Sequence, residues 1–307
     1  MSNTFTVVCD TSDEARWLAA RNTGVGASEI PVLLEASDWG SNVELFYRKI
    51  GELDEPLREQ TEEMRLGQLF ENIAREEAAR RAGVTLQAQP AKLLRSTRYA
   101  WALATADALT TEGEPVEVKN LNWGFVEDEW AKAIPEKYFL QCQQQMLVTG
   151  ANRCLFGALV KGSRLVWEWV PRDEQAIRRI IRAGEDFWAH VERRECPPSD
   201  GHPHARKALG RLATDEDAIE LYESEVGDLV SAYESAKSTH EMCDAAAKKA
   251  KRQLEAAKDE LAKRLGTHRE GFTSGGYRLR WKKQERKGHI VKPTTINTFE
   301  IIEPKGM

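Results

Sequence analysis

A chain of 307 residues has room for two domains, or for one with a large extension, and a hydrophobic fraction of 41% supports a real core and argues against global disorder. The net charge of −5 does not advertise nucleic-acid binding, no run of ~18 apolar residues is present to span a bilayer, and the start, MSNTFTVVCDTSDEAR, lacks the basic and apolar regions of a signal peptide. Five scattered cysteines without a CxxC pair argue against a zinc ribbon or an iron–sulfur cluster and fit a reducing cytoplasm.

In chain order, residues 12–21 read as a short helix capped by Ser12, and the turn Thr23-Gly24-Val25-Gly26 follows. Residues 27–36 and 42–50 predict two further helices. Residues 61–82 carry Met64, Leu66, Leu69, Phe70, Ile73 and Ala74 at helical spacing, with Thr61 as cap and Gly83 as stop. The pattern then changes to strands at 84–89, 93–95, 99–104 and 116–121, with Glu112-Gly113 as a turn. Pro135 opens a helix that Gly150 ends. Strands at 153–160 and 164–170 flank Lys161-Gly162-Ser163, and a helix covers 173–195. Pro197-Pro198-Ser199-Asp200-Gly201 marks the best domain boundary. Beyond it, 215–265 read as an alanine-rich helical stretch or a hairpin of helices, and 272–283 as a β-hairpin turning at Gly275-Gly276.

The chemistry gathers around Asp107 and, ten residues later, Glu117-Val118-Lys119. Strand side chains alternate faces, so Glu117 and Lys119 point one way and Val118 the other. If the two strands pair across the turn, Asp107 lies beside Glu117. Two close carboxylates repel unless a cation or proton intervenes, and hard oxygen ligands suit Mg²⁺, with Mn²⁺ able to substitute. The same residues on an exposed hairpin would be ordinary charges. Glu71 sits at the border of the apolar stripe of helix 61–82, with Gly67 one turn earlier on the same side. Gln141, Gln144 and Gln145 share a helix face, which serves either as a polar binding surface or as a solvated one. Gly24-Val25-Gly26-Ala27-Ser28 precedes a helix and offers backbone N–H groups to a phosphate.

Taken in this order, RNTGVGASEI (21–30), RLGQLFENIAR (65–75), ALATADAL (102–109), EPVEVKN (114–120) and YFLQCQQQMLVTG (138–150) resemble the YqaJ-like viral recombinase family, which includes phage lambda exonuclease. The resemblance covers about residues 15–200. It implies a PD-(D/E)XK core, a mixed sheet flanked by helices. In that reading Asp107, Glu117 and the Val118 carbonyl are metal ligands, Lys119 is the catalytic lysine, and Glu71 is the helical acidic residue. Gln141 and Gln143 fall on the family's Q-x-Q motif, Gln141 as a catalytic residue and Gln143 as a DNA contact. Arg21 and Ser28 match positions that hold a 5′-terminal phosphate. The family usually has Pro before the aspartate and Gly after it, whereas Ala106 and Ala108 flank Asp107 here.

The resemblance further implies Mg²⁺-dependent 5′-to-3′ digestion of linear duplex DNA in a bacterial or phage-infected cytoplasm. It also implies a single-strand annealing protein as partner and, for some members, a ring-shaped trimer. Residues 1–200 would then be the nuclease domain and 201–307 a basic extension. Residues 245–292 hold 15 Lys or Arg against 5 Asp or Glu, a balance of +10 on an otherwise acidic chain. Trp281, Lys282 and Lys283 in that stretch are candidate DNA contacts. Two other classes fit the residues: a PD-(D/E)XK endonuclease or junction resolvase, and a non-catalytic DNA-binding module that keeps the fold.

Overall fold

A computed structural model describes residues 4–54, 62–88, 91–121, 134–212, 222–286 and 294–302. The chain divides into two compact units, Met1–Asp215 and Glu216–Met307. In the first unit β1 (Phe5–Asp10), β2 (Lys92–Ser96) and β3 (Leu103–Thr105) form an antiparallel sheet. A second, mixed sheet has the order β4 (Ala108–Leu109), β5 (Pro115–Leu121), β6 (Arg153–Val160) and β7 (Arg164–Pro171). Within it β5 and β6 are parallel, and both other pairs are antiparallel. A parallel pair needs a crossover, and here the intervening chain carries a helix, Glu136–Thr149.

Eight helices are described: α1 (Glu14–Arg21), α2 (Ile30–Leu33), α3 (Asn42–Lys49), α4 (Glu62–Ala82), α5 (Glu136–Thr149), α6 (Glu174–Arg193), α7 (Pro203–Leu212) and α8 (Glu223–Leu265). Local chemistry sets their ends. Ser41 caps α3 by accepting from Glu44 N at 3.0 Å, and Asp173 caps α6 by accepting from Gln175 N and Ala176 N. Gly150 ends α5 in the left-handed region. α1 is capped by Asp13, which accepts from Arg16 N at 3.0 Å, and not by Ser12, whose N–H and hydroxyl both bond Asp10. The helix expected over 27–36 is limited to the single turn of α2. The strand expected over 84–89 reduces to one bridge, Leu86 to Thr110, and β1 was not anticipated. The expected cap Thr61 lies outside the described residues.

α5 packs against β2, β3, β5 and β6 and also meets α2 and α6, and every residue from Leu140 to Thr149 is buried. On the opposite face of β5 and β6, α4 presents small residues. Ala74 and Ala78 pack with Val116, Val118 and Leu155. Only part of the apolar stripe read from the sequence makes this contact: Phe70 and Ala74 do, whereas Leu69 is 53% and Ile73 61% exposed, and Ala78 takes the place next to the sheet. Alanine allows a closer helix–sheet approach than leucine would, and Ala78 lies directly over Gly157.

The first unit continues past Pro197-Pro198. Asn42 donates through its backbone N–H to Asp200 (3.0 Å) and through its side chain to the Pro198 carbonyl (2.8 Å). α7 then packs on α3, burying Ala205 and Ala208. In the second unit α8 is one 43-residue helix rather than a hairpin. The predicted hairpin is present as β8 (Glu270–Phe272) and β9 (Arg278–Arg286), with a third antiparallel strand, β10 (Thr294–Ile302), on its far side.

Gly184 on α6 lies against the Trp101 indole, where an added Cβ would come within 2.1 Å of the ring. Gly184→Ala is therefore expected to cost about 1–3 kcal/mol through overpacking, read as a shifted denaturant midpoint. An unchanged midpoint would mean the Trp101 side chain is not fixed by this contact.

Candidate active site

Asp107 stands where β4 begins to diverge from β5. Its N–H donates to the Val116 carbonyl at 3.1 Å, and its Oδ2 accepts from Val118 N at 2.7 Å. A strand residue's N–H and C=O leave the backbone on the same side. The Val118 carbonyl therefore faces the edge occupied by the Asp107 carboxylate.

Glu117 projects toward α5 and is 1% exposed. Such a carboxylate must be hydrogen-bonded. Gln141 donates to its Oε1 and Gln145 to its Oε2, both at 2.6 Å, and Lys119 Nζ contacts Oε1 as well. The two glutamines are four residues apart and so lie on one face of α5. The Oε1 of Gln145 is in turn 3.6 Å from the Cys154 thiol. Burial pushes that thiol well above its ordinary range, so it stays protonated and able to donate.

Glu71 approaches from α4 and hydrogen-bonds Asp107. Burial first, then the Glu117 charge, raises the Glu71 carboxyl. Asp107 is pushed well above the usual carboxylate range by burial and by Glu117 and Glu71, against the opposing pull of Lys119 and the Val118 N–H. Burial works against the Lys119 ammonium, but Glu117 and Asp107 outweigh it and hold the lysine above its ordinary value. The ammonium also lies 5.8 Å from the Tyr138 ring centroid.

The predicted set Glu71, Asp107, Glu117, Val118, Lys119 and Gln141 is thus brought together. Three carboxylates share the neighbourhood of one lysine, an excess of negative charge that a divalent cation would relieve. Among the described residues no three acidic, histidine or cysteine side chains already converge as a closed cage. The donors fit an ion that keeps part of its water shell: the Asp107 carboxylate, the Val118 carbonyl, and the lone pair of Glu117 left over after three hydrogen bonds.

Arg21 ends α1, and Ser28 lies in the loop that follows. Gly24 there touches the Trp101 carbonyl so closely that a Cβ would stand 2.4 Å from it. Val25 bonds Trp101 and Leu103 through its backbone, and Gln144 donates to the Val25 and Leu103 carbonyls at 3.2 and 3.3 Å. Gln144 thereby ties this loop to the helix that holds Glu117. Ser28 is exposed. The Arg21 guanidinium lies 5.0 Å over the Trp17 ring and 3.6 Å from Glu29. Glu29 accepts from Gly26 N at 2.7 Å and from a fully buried Lys49 Nζ at 2.8 Å, and Lys49 also donates to the Arg21 carbonyl. The Gly26 N–H is therefore already bonded and does not face a phosphate.

Two glutamines fall differently from the sequence expectation. Gln143 is fully buried, donating to the Pro171 carbonyl (2.9 Å) and accepting from Asp173 N (2.8 Å). It ties α5 to the start of α6 and is not placed for a DNA contact. Gln145 was read only as part of a polar face. Its spacing of four from Gln141 was the available signal. Trp281 and Lys282 lie on β9 in the second unit. Lys283 is on the same strand, with its side chain outside the described residues.

The fold is a mixed α/β sheet of the PD-(D/E)XK type, and the clustered carboxylates with one lysine form its candidate site. The chain resembles the alkaline exonuclease LHK-Exo of Laribacter hongkongensis with a TM-score of 0.50 at 21% identity, over 65% of this chain and 100% of that one. The structure of LHK-Exo in complex with dAMP is similar at a TM-score of 0.50 and 22% identity, over 65% of this chain and all of that one. At those identities the likeness speaks for the fold. Residues 16–152 match the model of the YqaJ-like viral recombinase domain. The uncharacterized protein YqaJ of Bacillus subtilis (strain 168) is 29% identical over 198 residues, 63% of this chain and 61% of that protein.

The raised Asp107 carboxyl has a consequence for stability without metal. A carboxyl raised on folding gives stability that is present below its unfolded value of 3.8 and lost as pH rises through the folded value. Asp107→Asn is expected to melt higher than wild type in EDTA at pH 8, with the gap closing toward pH 4. A variant that melts lower at both pH values would show that Asp107 acts mainly as the hydrogen-bond acceptor for Val118.

Proposed function

We propose that this protein is a metal-dependent deoxyribonuclease that digests linear duplex DNA from 5′ ends, exposing 3′ single strands for recombination in a bacterial or phage-infected cytoplasm. The observation that carries the proposal is the convergence of Asp107, Glu117, the Val118 carbonyl and Lys119 at the open edge of β5. Asp107, Glu117 and the Val118 carbonyl would hold Mg²⁺, with Mn²⁺ able to replace it. The ion supplies Lewis-acid charge at a phosphate oxygen and a water of lowered pKa.

The protein's own residues supply the rest. Lys119, held in its protonated form by two carboxylates, is a poor general base. Its role is to place fixed positive charge where the phosphorane develops. Glu117 orients it, and Gln141 and Gln145 fix Glu117. Glu71 stands beside Asp107, where a hydrogen bond to the attacking water is within its chemistry. Arg21 and Ser28 would hold the 5′-phosphate, with the Glu29–Lys49 pair keeping the loop in shape. Residues 1–200 form the catalytic part in this reading. The basic extension, with Trp281, Lys282 and Lys283, would contact DNA outside the site, and an annealing protein would take up the exposed strand.

The test is digestion of 5′-labelled and 3′-labelled linear duplex with and without Mg²⁺, beside closed circular DNA. Digestion that starts at 5′ ends, needs the metal and spares circles supports the proposal. Equal cutting of circles would place the protein among the endonucleases instead. Asp107→Ala and Lys119→Ala should each lower turnover by ~10²-fold or more while the fold survives. Turnover near wild type in either variant would remove the site assignment.

Arg21→Ala should slow digestion of 5′-phosphorylated ends far more than of 5′-hydroxyl ends, because a guanidinium binds phosphate through charge-assisted, often bidentate bonds. Equal losses on the two substrates would leave Arg21 with a purely structural part beside Glu29.

A further inference from the structure

α8 runs for 43 residues, a rod of about 65 Å. Every residue from Asp228 to Ala257 is exposed, and among its described residues only Leu265, at its last turn, is buried. The sequence of this rod is not that of a solvated helix. Val226, Tyr233, Ala247, Leu254 and Leu261 recur at steps of seven, with His240 in the remaining place. A second series, Leu229, Ala236, Cys243, Ala250 and Ala257, follows three residues behind the first. Together they draw one apolar line with a period of 3.5 over five heptads. A straight α-helix drifts by about 20° per heptad from such a line, so a helix that merely shed water would have no reason to keep it. Keeping it is the mark of a face that follows a supercoiled neighbour. The large members of that face stand in solvent: Leu229 at 70%, Tyr233 at 62% and Leu254 at 55% exposure.

We propose that α8 pairs with α8 of a second copy of this chain as a parallel, in-register coiled coil. The flanking positions select this occupant. In a parallel pair each residue before the first apolar series faces the residue after the second series one heptad on. Those pairs are Ala232–Lys237, Thr239–Asp244, Ala246–Lys251 and Gln253–Lys258, and none joins like charges. Antiparallel pairing would instead set the row Lys237, Lys251 and Lys258 against its own copy, with only Asp244 to relieve it. A foreign helix would need acidic residues opposite that row, whereas a second copy needs none. Two such rods pairing along this face would bury on the order of 1,500 Å² in total, within the range of stable interfaces. The small residues of the second series let the two backbones approach closely. In register, the two Cys243 side chains meet across the seam. The pairing stands independently of the nuclease reading.

The full-length protein, with Cys196→Ser so that Cys243 is the one exposed thiol, is the material for the test. Sedimentation at micromolar concentration should give an assembly. Leu229→Glu with Leu254→Glu should reduce its mass, since both side chains are exposed in the single chain and their replacement leaves its fold intact by circular dichroism. Ser238→Glu, on the outer face, should leave the mass unchanged. Mild oxidation should link two chains through Cys243, and Cys243→Ser should abolish the link. A monomeric wild type overturns the proposal, as does a double variant that keeps the wild-type mass. An assembly that forms no Cys243 cross-link overturns the parallel register.

Discussion

The Glu117 carboxylate is the point on which the first unit turns. An ionised group at 1% exposure is costly unless hydrogen bonds and opposite charge surround it. Gln141, Gln145 and Lys119 meet that demand. Their arrangement explains why α5, a central helix, carries glutamines where leucines would normally pack. Gln141 and Gln145 hold the carboxylate, Gln144 holds the Arg21–Ser28 loop, and Gln143 holds the start of α6. A buried polar network is worth keeping only when its members are satisfied. Here the Gln144 Oε1 atom is without a partner among the described residues, while the glutamine amides facing Glu117 are both engaged.

The same demand accounts for the sheet geometry around the site. β4 pairs with β5 for only two residues, Ala108 with Val116 and Leu109 with Pro115. Had the ladder continued, backbone from β4 would occupy the Val118 N–H and C=O. Instead the Asp107 side chain takes the N–H, and the edge stays open beside the carbonyl. The Ala106-Asp107-Ala108 turn reaches this geometry without the proline and glycine that usually flank such an aspartate, because the Asp107 N–H to Val116 bond fixes the backbone directly.

The strand that carries the candidate site is legible in the sequence because its logic is local. Asp107, Glu117 and Lys119 lie within one hairpin, and a period of two fixes which side chains share a face. The glutamines of α5 were ambiguous for the opposite reason. The acceptors of their side-chain N–H groups lie 24 to 119 residues away in sequence, so little nearby separates a solvated face from a buried one. The face of α4 is only partly legible: Phe70 and Ala74 of the predicted stripe meet the sheet, but Leu69 and Ile73 outweigh alanine in any hydrophobic reading, whereas contact with a glycine-bearing sheet favours small residues such as Ala78. The boundary at Pro197-Pro198 is real as a break in helix. What it hid is that Asn42 reaches across to Pro198 and Asp200 and draws the chain back onto the first unit.

Electrostatics divides the first unit into two regions of opposite character. Around the glycine loop, burial penalises Glu29, but Lys49 and Arg21 more than offset it and hold the carboxyl below its ordinary value. Burial pulls Lys49 down at the same time. The ionised pair is nonetheless the better description, because three hydrogen bonds converge on the Glu29 oxygens, two from Lys49 Nζ and one from Gly26 N. Its stabilisation is present above the unfolded carboxyl value and is lost as pH falls through the folded one. At the β5 edge the sign is reversed: Asp107 and Glu71 are raised, so repulsion grows as pH rises. The first unit thus pairs its charges in one cluster and leaves them in excess in the other, and proteins tolerate such local conflict at functional sites. The gathering of Asp107, Glu71 and Glu117 around Lys119 on the β5 edge adds a three-dimensional argument to the spacing of the motif for the cation site proposed above, since spacing alone is equally compatible with an inert hairpin.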